Sequence, residues 1–263
     1  MYVTSHIHAQ LGNMLFQIAA AVSYGLDHGH EVRFPELAEK TAEFPSYRIV
    51  FRQVDESPFP KKVKFHRYCE NEVGYEKIPI KKNLILDGYF QSDKYFAHHK
   101  QEIIDLFSPT EEMVQEIRDK YGSLLEGPTV AVHIRTFIPD GNNPLDPDNW
   151  GGFDWSYFIR AIEFFPKECR FLIFSDLPEW TKSHFPTIDR NCVFIEGNPT
   201  HFDFYFMSLC DHQIVSPRSS YSWWAAYLNG NPDKIVLVAE RKGVCHPQGV
   251  PEGWYQIGTD KRF

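Results

Sequence analysis

From residue 127 onward the chain alternates short, almost wholly apolar runs with segments of helical periodicity, and this alternation restricts it to one fold class. The apolar runs are TVAVHIR, RFLIFS, CVFI, QIVS and KIVLVA, and helical patterns at 153–165, 178–185, 202–210 and 221–228 separate them. A strand that is apolar on both faces must be covered on both, which is the situation of a parallel sheet between two layers of helices. The start of the chain repeats the pattern on a smaller scale. It has a strand at 2–7, a helix at 11–26 stopped by Gly29, and a strand at 31–34. NLILDGYF at 83–90 adds a strand, and helical patterns follow at 93–107 and 109–121, the second opening on a Ser-Pro-Thr-Glu-Glu cap. The reading is α/β in two units, residues 1–126 and 127–263, with weak periodicity between 35 and 82.

A chain of 263 residues that is 43% hydrophobic can bury one sizeable core or two modest ones. Aromatic residues at 16% suit thick cores and a stacking surface for a base or sugar. The net charge of -8 argues against a general nucleic-acid binder, which needs a basic surface. An anionic ligand must then be held by a few placed cations and amides. Cys69, Cys169, Cys192, Cys210 and Cys245 are widely spaced with no CxxC pair, which fits neither a zinc ribbon nor a disulfide framework. The N-terminus lacks the basic start and apolar core of a secretory signal. No run approaches the ~18 apolar residues of a membrane span. The expectation is a soluble, cytoplasmic protein.

Ligands of doubly wound sheets sit beyond the carboxyl ends of the strands, so the polar residues there are the candidates. HQIVSPRSSYSWWAAYLN at 212–229 runs from a short strand through Pro217 to Ser219, Ser220 and Ser222, then into an apolar helix. Such a segment either caps a core helix or builds an anion site from amides, hydroxyls and the helix dipole. TVAVHIR ends in His133 and Arg135, which strand alternation puts on one side. An arginine there serves either a structural salt bridge or a bidentate phosphate contact. Gly12 and Asn13 open the first helix, where they either approach a phosphate or sugar closely or form a tight turn. Asp176 follows RFLIFS and Asp203 lies at a helix start; each fits a ribose or base contact, or a helix cap. Asp146 and Asp148 have DxD spacing, as in many metal-dependent glycosyltransferases, but their loop NPLDPDNWGG reads as turn chemistry. The sequence has no Walker motif, GxGxxG, GxSxG or HExxH.

In order along the chain, QLGNMLFQIAAAVSYG, LDGYFQSDKYF, VHIR, FSDLPEW and DFYFMSLCDHQIVSPRSSYSWWAAYLN resemble the conserved blocks of glycosyltransferase family 11, the α-1,2-fucosyltransferases. The resemblance implies a GT-B-type fold, two Rossmann-like units facing across a cleft, with an acceptor-side first unit and a GDP-sugar-binding second one. It implies inverting transfer of L-fucose from GDP-fucose to the 2-hydroxyl of a galactose-containing glycan, with no metal or other cofactor. Arg135 matches the HxR arginine that contacts the GDP phosphates, and His133 matches the motif histidine. Ser219, Ser220, Tyr221 and Ser222 match the SSFSWW block of the donor site, with Tyr for Phe. Gly12 and Asn13 match the GN of the N-terminal loop facing the donor. Many members continue HIRRGDY, whereas Thr136 follows Arg135 here and the next carboxylate is Asp140, the first candidate for the catalytic base. The alternatives are a transferase for another GDP-sugar and a non-catalytic protein that binds glycans or a GDP-sugar. The weakly patterned residues 35–82 are expected to read the acceptor.

Overall fold

The computed structural model describes residues 1–71, 74–136, 155–240 and 250–258. It contains two compact units, the first built on Met1–Pro109 and the second mainly on the residues from Thr110 onward.

In the first unit, β1 (Tyr2–Ser5), α1 (Leu11–His28), β2 (Glu31–Val32), α2 (Leu37–Glu43), α3 (Pro45–Val50), β3 (His66–Cys69), β4 (Leu84–Asp87) and α4 (Lys100–Phe107) follow one another. The sheet order is β2-β1-β4-β3, all parallel. Thirteen residues of α1 are buried, so this helix is covered almost all round, as its apolar composition requires. It stops at Gly29, whose left-handed backbone (φ 62) lets its N–H return to the Gly25 carbonyl. Gly25 itself lies where any Cβ would run into Val32, so the close approach of α1 to β2 needs a glycine.

Two features of this unit depart from the sequence reading. The helix expected over 93–107 begins as two 3₁₀ turns, Asp93–Tyr95 and Ala97–His99, because Phe96 (φ -146, ψ 1) leaves the helical region. The strand β3 and the helices α2 and α3 fall in the stretch without period. β3 is an edge strand with three of its four residues exposed, so no apolar alternation marks it.

The second unit runs α5 (Glu111–Tyr121), β5 (Thr129–Ile134), α6 (Trp155–Phe164), β6 (Arg170–Ser175), α7 (Pro178–His184), β7 (Asn191–Phe194), α8 (Thr200–Leu209), β8 (His212–Ile214), α9 (Ser220–Leu228), β9 (Val236–Ala239) and β10 (Tyr255–Ile257). The chain passes into this unit at Thr110, earlier than Glu126. Helix α5 packs here: the Tyr121 ring stacks on Phe206 at 4.8 Å and 17°. Thr110 caps α5 by accepting the Met113 N–H at 3.2 Å.

Its six strands, in the order β10-β9-β8-β5-β6-β7, are all parallel. Every residue of β5 is buried, which is why the sequence there is apolar on both faces. Val130, Val132 and Ile134 pack with Tyr157, Phe158 and Ile162 of α6 in the core. Burial of each such large side chain contributes about 1.5–3 kcal/mol. Tyr157 is fully buried, and its one hydroxyl proton is shared between the carbonyls of Val215, just after β8, and Leu237 of β9 at 2.8 and 3.0 Å, which satisfies the buried hydroxyl and ties α6 to the sheet. Both units are therefore parallel α/β layers, as expected. Among the described residues no helix is long and apolar enough to cross a membrane.

Candidate functional site

The carboxyl ends of β5, β6 and β8 are knitted into one polar cluster in the second unit. At the end of β5 the Arg135 N–H donates to Ser216 Oγ at 3.0 Å, and the guanidinium Nη1 lies 3.2 Å from Asp176 Oδ2. Asp176, just after β6, also accepts the Thr136 N–H at 2.9 Å and its hydroxyl at 3.1 Å. One carboxylate thus fixes both the backbone that follows β5 and the arginine head group, while the Arg135 side chain stays 41% exposed. The salt bridge and the phosphate contact were alternatives in the sequence; the ion pair is present, and it holds the guanidinium at the strand end. Thr136 is fully buried, and neither it nor Ser216 stood out in the sequence. Their partners are 40 and 81 residues away, so only the folded chain brings them together.

Beyond β8 the backbone turns through Arg218 in the left-handed region (φ 63) and enters α9. Ser219 is the N-cap and accepts the Ser222 N–H at 3.3 Å, while the Ser216 N–H donates to Ser222 Oγ at 3.2 Å. The cap reading of these serines is therefore correct for Ser219. The same turn nevertheless delivers the positive end of the α9 dipole beside the β5 terminus. The link is His133, whose Nδ1 lies 3.3 Å from Ser219 Oγ. Burial, helped by the Arg135 charge, pushes the His133 imidazole down to about 3. It is neutral near pH 7 and suited to positioning Ser219 rather than to proton transfer. The Tyr221 ring lies 5.3 Å from His133, and its hydroxyl donates to the Thr200 carbonyl at 2.6 Å, joining α9 to the start of α8. Ser220 is the half-buried first residue of α9.

Asp203, in the first turn of α8, accepts from Asn198 Nδ2 at 2.8 Å, and Lys120 Nζ donates to Asn198 Oδ1 at 2.6 Å. Burial raises the Asp203 carboxyl to about 6, against the Asn198 hydrogen bond and the Lys120 charge, which pull it down. The native state then holds a proton that the unfolded chain releases near pH 4. Stability therefore falls as pH rises from about 4 to about 6. Asp203→Asn, which cannot ionise, should lose less of its melting temperature than the wild type between pH 4.5 and 7.5. Parallel pH profiles would contradict this account of Asp203.

Gly12 and Asn13 lie in the first unit, in the opening turn of α1, where the Asn13 N–H donates to the Gln10 carbonyl at 2.9 Å. Gln91, from the loop after β4, donates to Asn13 Oδ1, and Gln10 Oε1 accepts from Tyr47 at 2.9 Å. Asp140, Asp146 and Asp148 lie outside the described residues.

The family model described as Glycosyl transferase family 11 matches residues 45–242. The QLGNMLFQ segment lies before that range. Among curated proteins, an alpha-1,2-colitosyltransferase of Escherichia coli is 27% identical over 228 residues, covering 81% of this chain and 76% of that protein. A putative galactoside 2-alpha-L-fucosyltransferase of Caenorhabditis elegans is 26% identical over 275 residues, with 87% and 69% covered. Among solved structures, fucosyltransferase NodZ from Bradyrhizobium aligns with TM-score 0.57 at 15% identity, over 90% of this chain and 94% of that one. A variant of Arabidopsis thaliana FUT1 in complex with GDP aligns with TM-score 0.50 at 14% identity, over 89% and 69%. These structural likenesses concern the fold, which is of the GT-B type. The family match takes in β5, the serine-rich start of α9 and all the strand ends between them, and the protein belongs to glycosyl transferase family 11.

Proposed function

We propose that the protein transfers L-fucose from GDP-fucose, with inversion, to the 2-hydroxyl of a galactose residue in a glycan, without a metal ion. The observation that carries the reading is the Arg135 guanidinium, held by Asp176 at the end of β5 beside the serine-rich start of α9. Departure of GDP puts negative charge on its β-phosphate while positive charge develops on the sugar. A guanidinium already fixed by a carboxylate, together with a helix N-terminus, stabilises that charge without reorganising. The planar fork of arginine suits two phosphate oxygens at once. Family membership supports glycosyl transfer, and the names of the curated relatives support the α-1,2 linkage and the galactoside acceptor.

In this reading His133 orients Ser219, and Asp203, Ser220, Tyr221, Ser222, Gly12 and Asn13 serve the donor. Asp140 is the base that accepts the proton of the attacking hydroxyl. Residues 35–82 of the first unit read the acceptor. A second reading, transfer of colitose, is favoured by the Escherichia coli relative. Incubation with a β-galactoside panel and the GDP-linked forms of fucose, mannose and colitose, without added divalent metal, separates the readings. We expect GDP release and product with GDP-fucose. Product only with another donor would replace the sugar assignment, and donor binding without product would remove the enzymatic one.

A further inference from the structure

A second cluster of functional side chains lies wholly within the first unit. Asp27, in the last turn of α1, faces His98 and His99 of the 3₁₀ turn that precedes α4. His98 Nε2 is 3.0 Å from Asp27 Oδ2 and 3.3 Å from the Ser23 hydroxyl, which a metal would displace, and His99 Nε2 is 2.9 Å from Asp27 Oδ1. The three donor atoms all lie within 4.8 Å of one another.

We propose that Asp27, His98 and His99 form a site for a divalent transition metal of the Zn²⁺ class, which clamps the end of α1 to the turn before α4. Two imidazoles and a carboxylate are the donor set that such ions prefer over Mg²⁺ or Ca²⁺. With metal–ligand bonds near 2.0–2.2 Å, tetrahedral donors stand about 3.3 Å apart. Asp27 Oδ1 lies 3.1 and 2.9 Å from the Nε2 atoms of His98 and His99, so the two carboxylate–imidazole pairs need only a small opening. The placement of Asp27 supports the same conclusion. A carboxylate at the C-terminal end of a helix faces the negative end of the dipole, a cost of about 0.3–1 kcal/mol that a cation beside it offsets.

The surroundings fit a metal as well. On the far side of the His99 ring, Nδ1 lies 3.8 Å from Glu102 Oε1, which places an acidic group near the ring without a hydrogen bond to it. Asp27 and His98 also line a cavity of about 290 Å³ with Tyr24 and Lys77, which gives an entry path and room for a water at the fourth position. His30 is not a ligand, because its two ring nitrogens are engaged by the carbonyls of His28 and Lys81 at 3.1 and 2.9 Å.

The test is a Zn²⁺ titration of the full-length protein against a chromogenic chelator, with Co²⁺ absorbance as a second measurement. Expected are one tight equivalent of Zn²⁺, visible Co²⁺ bands of tetrahedral intensity, and a melting temperature that falls on chelation and does not respond to Mg²⁺. Loss of an outer-shell partner typically weakens binding about 10–100-fold. Asp27→Asn, His98→Ala and His99→Ala, checked for fold by circular dichroism, should each exceed about 100-fold. A wild-type protein that takes up no Zn²⁺ and shows no Co²⁺ bands, or full affinity in the His98→Ala/His99→Ala double variant, would overturn the proposal. The readout is metal binding, so it stands or falls separately from the donor-site assignment.

Discussion

Arg135→Ala should lower the rate of sugar transfer by at least about 10²–10³-fold, the loss that follows removal of one well-placed donor to developing negative charge. The fold should survive. The side chain is 41% exposed, and its ion pair with Asp176 is only partly shielded from solvent. Such pairs contribute about 0–1 kcal/mol to stability. Asp176 keeps its two hydrogen bonds to Thr136 in the variant, so its carboxylate is not stranded. Arg135→Lys retains a charge but loses the planar fork, and should fall between the wild type and the alanine variant. Steady-state GDP release read beside thermal melting is the appropriate pair of measurements. Near-normal turnover by Arg135→Ala would remove this residue from the site.

Trp224→Ala should have the opposite signature, a large loss of stability. The indole is fully buried in α9 and packs at 5.2 Å against Trp223 and at 5.4 Å against Tyr227. Truncating a buried Trp to Ala removes its burial and leaves a cavity, a cost of about 3–5 kcal/mol. For a protein of this size that lowers the melting midpoint by roughly 6–20 °C. GDP affinity should fall with it, because α9 begins at the Ser219 cap that His133 touches. An unchanged melting curve would show that α9 does not anchor the second unit. Together the two variants separate chemistry from architecture: Arg135→Ala is expected to cost activity at little cost in stability, and Trp224→Ala to cost stability.

The second unit was largely legible in the sequence because its physics is local. Strands buried on both faces must be continuous apolar runs, and TVAVHIR and RFLIFS became β5 and β6. The first unit was less so. His66, Arg67 and Cys69 of β3 face solvent, so the strand carries no apolar signature, and it exists because its backbone pairs with β4. The expected helix over 93–107 failed at Phe96, where the chain takes two 3₁₀ turns before α4. Those turns bring His98 and His99 to Asp27, a meeting that spacing along the chain could not foretell.

The candidate site divides in the same way. Arg135 and Ser219 could be picked out because an apolar strand that ends in Arg and a serine at a helix start are local signals. The roles of Thr136 and Ser216 were not legible, since each is defined by a partner distant in sequence. Nor could the sequence show that burial would neutralise His133 and raise Asp203, because both effects depend on what the folded chain packs around them.

The most direct test of the proposed activity is nuclear magnetic resonance analysis of the product formed from GDP-fucose and a β-galactoside without added divalent metal, with released GDP counted in the same reaction. The account predicts one GDP per fucose transferred and an α-linked fucose on the galactose 2-hydroxyl. Fucose on another hydroxyl, a β linkage, or GDP held without any transfer would contradict it.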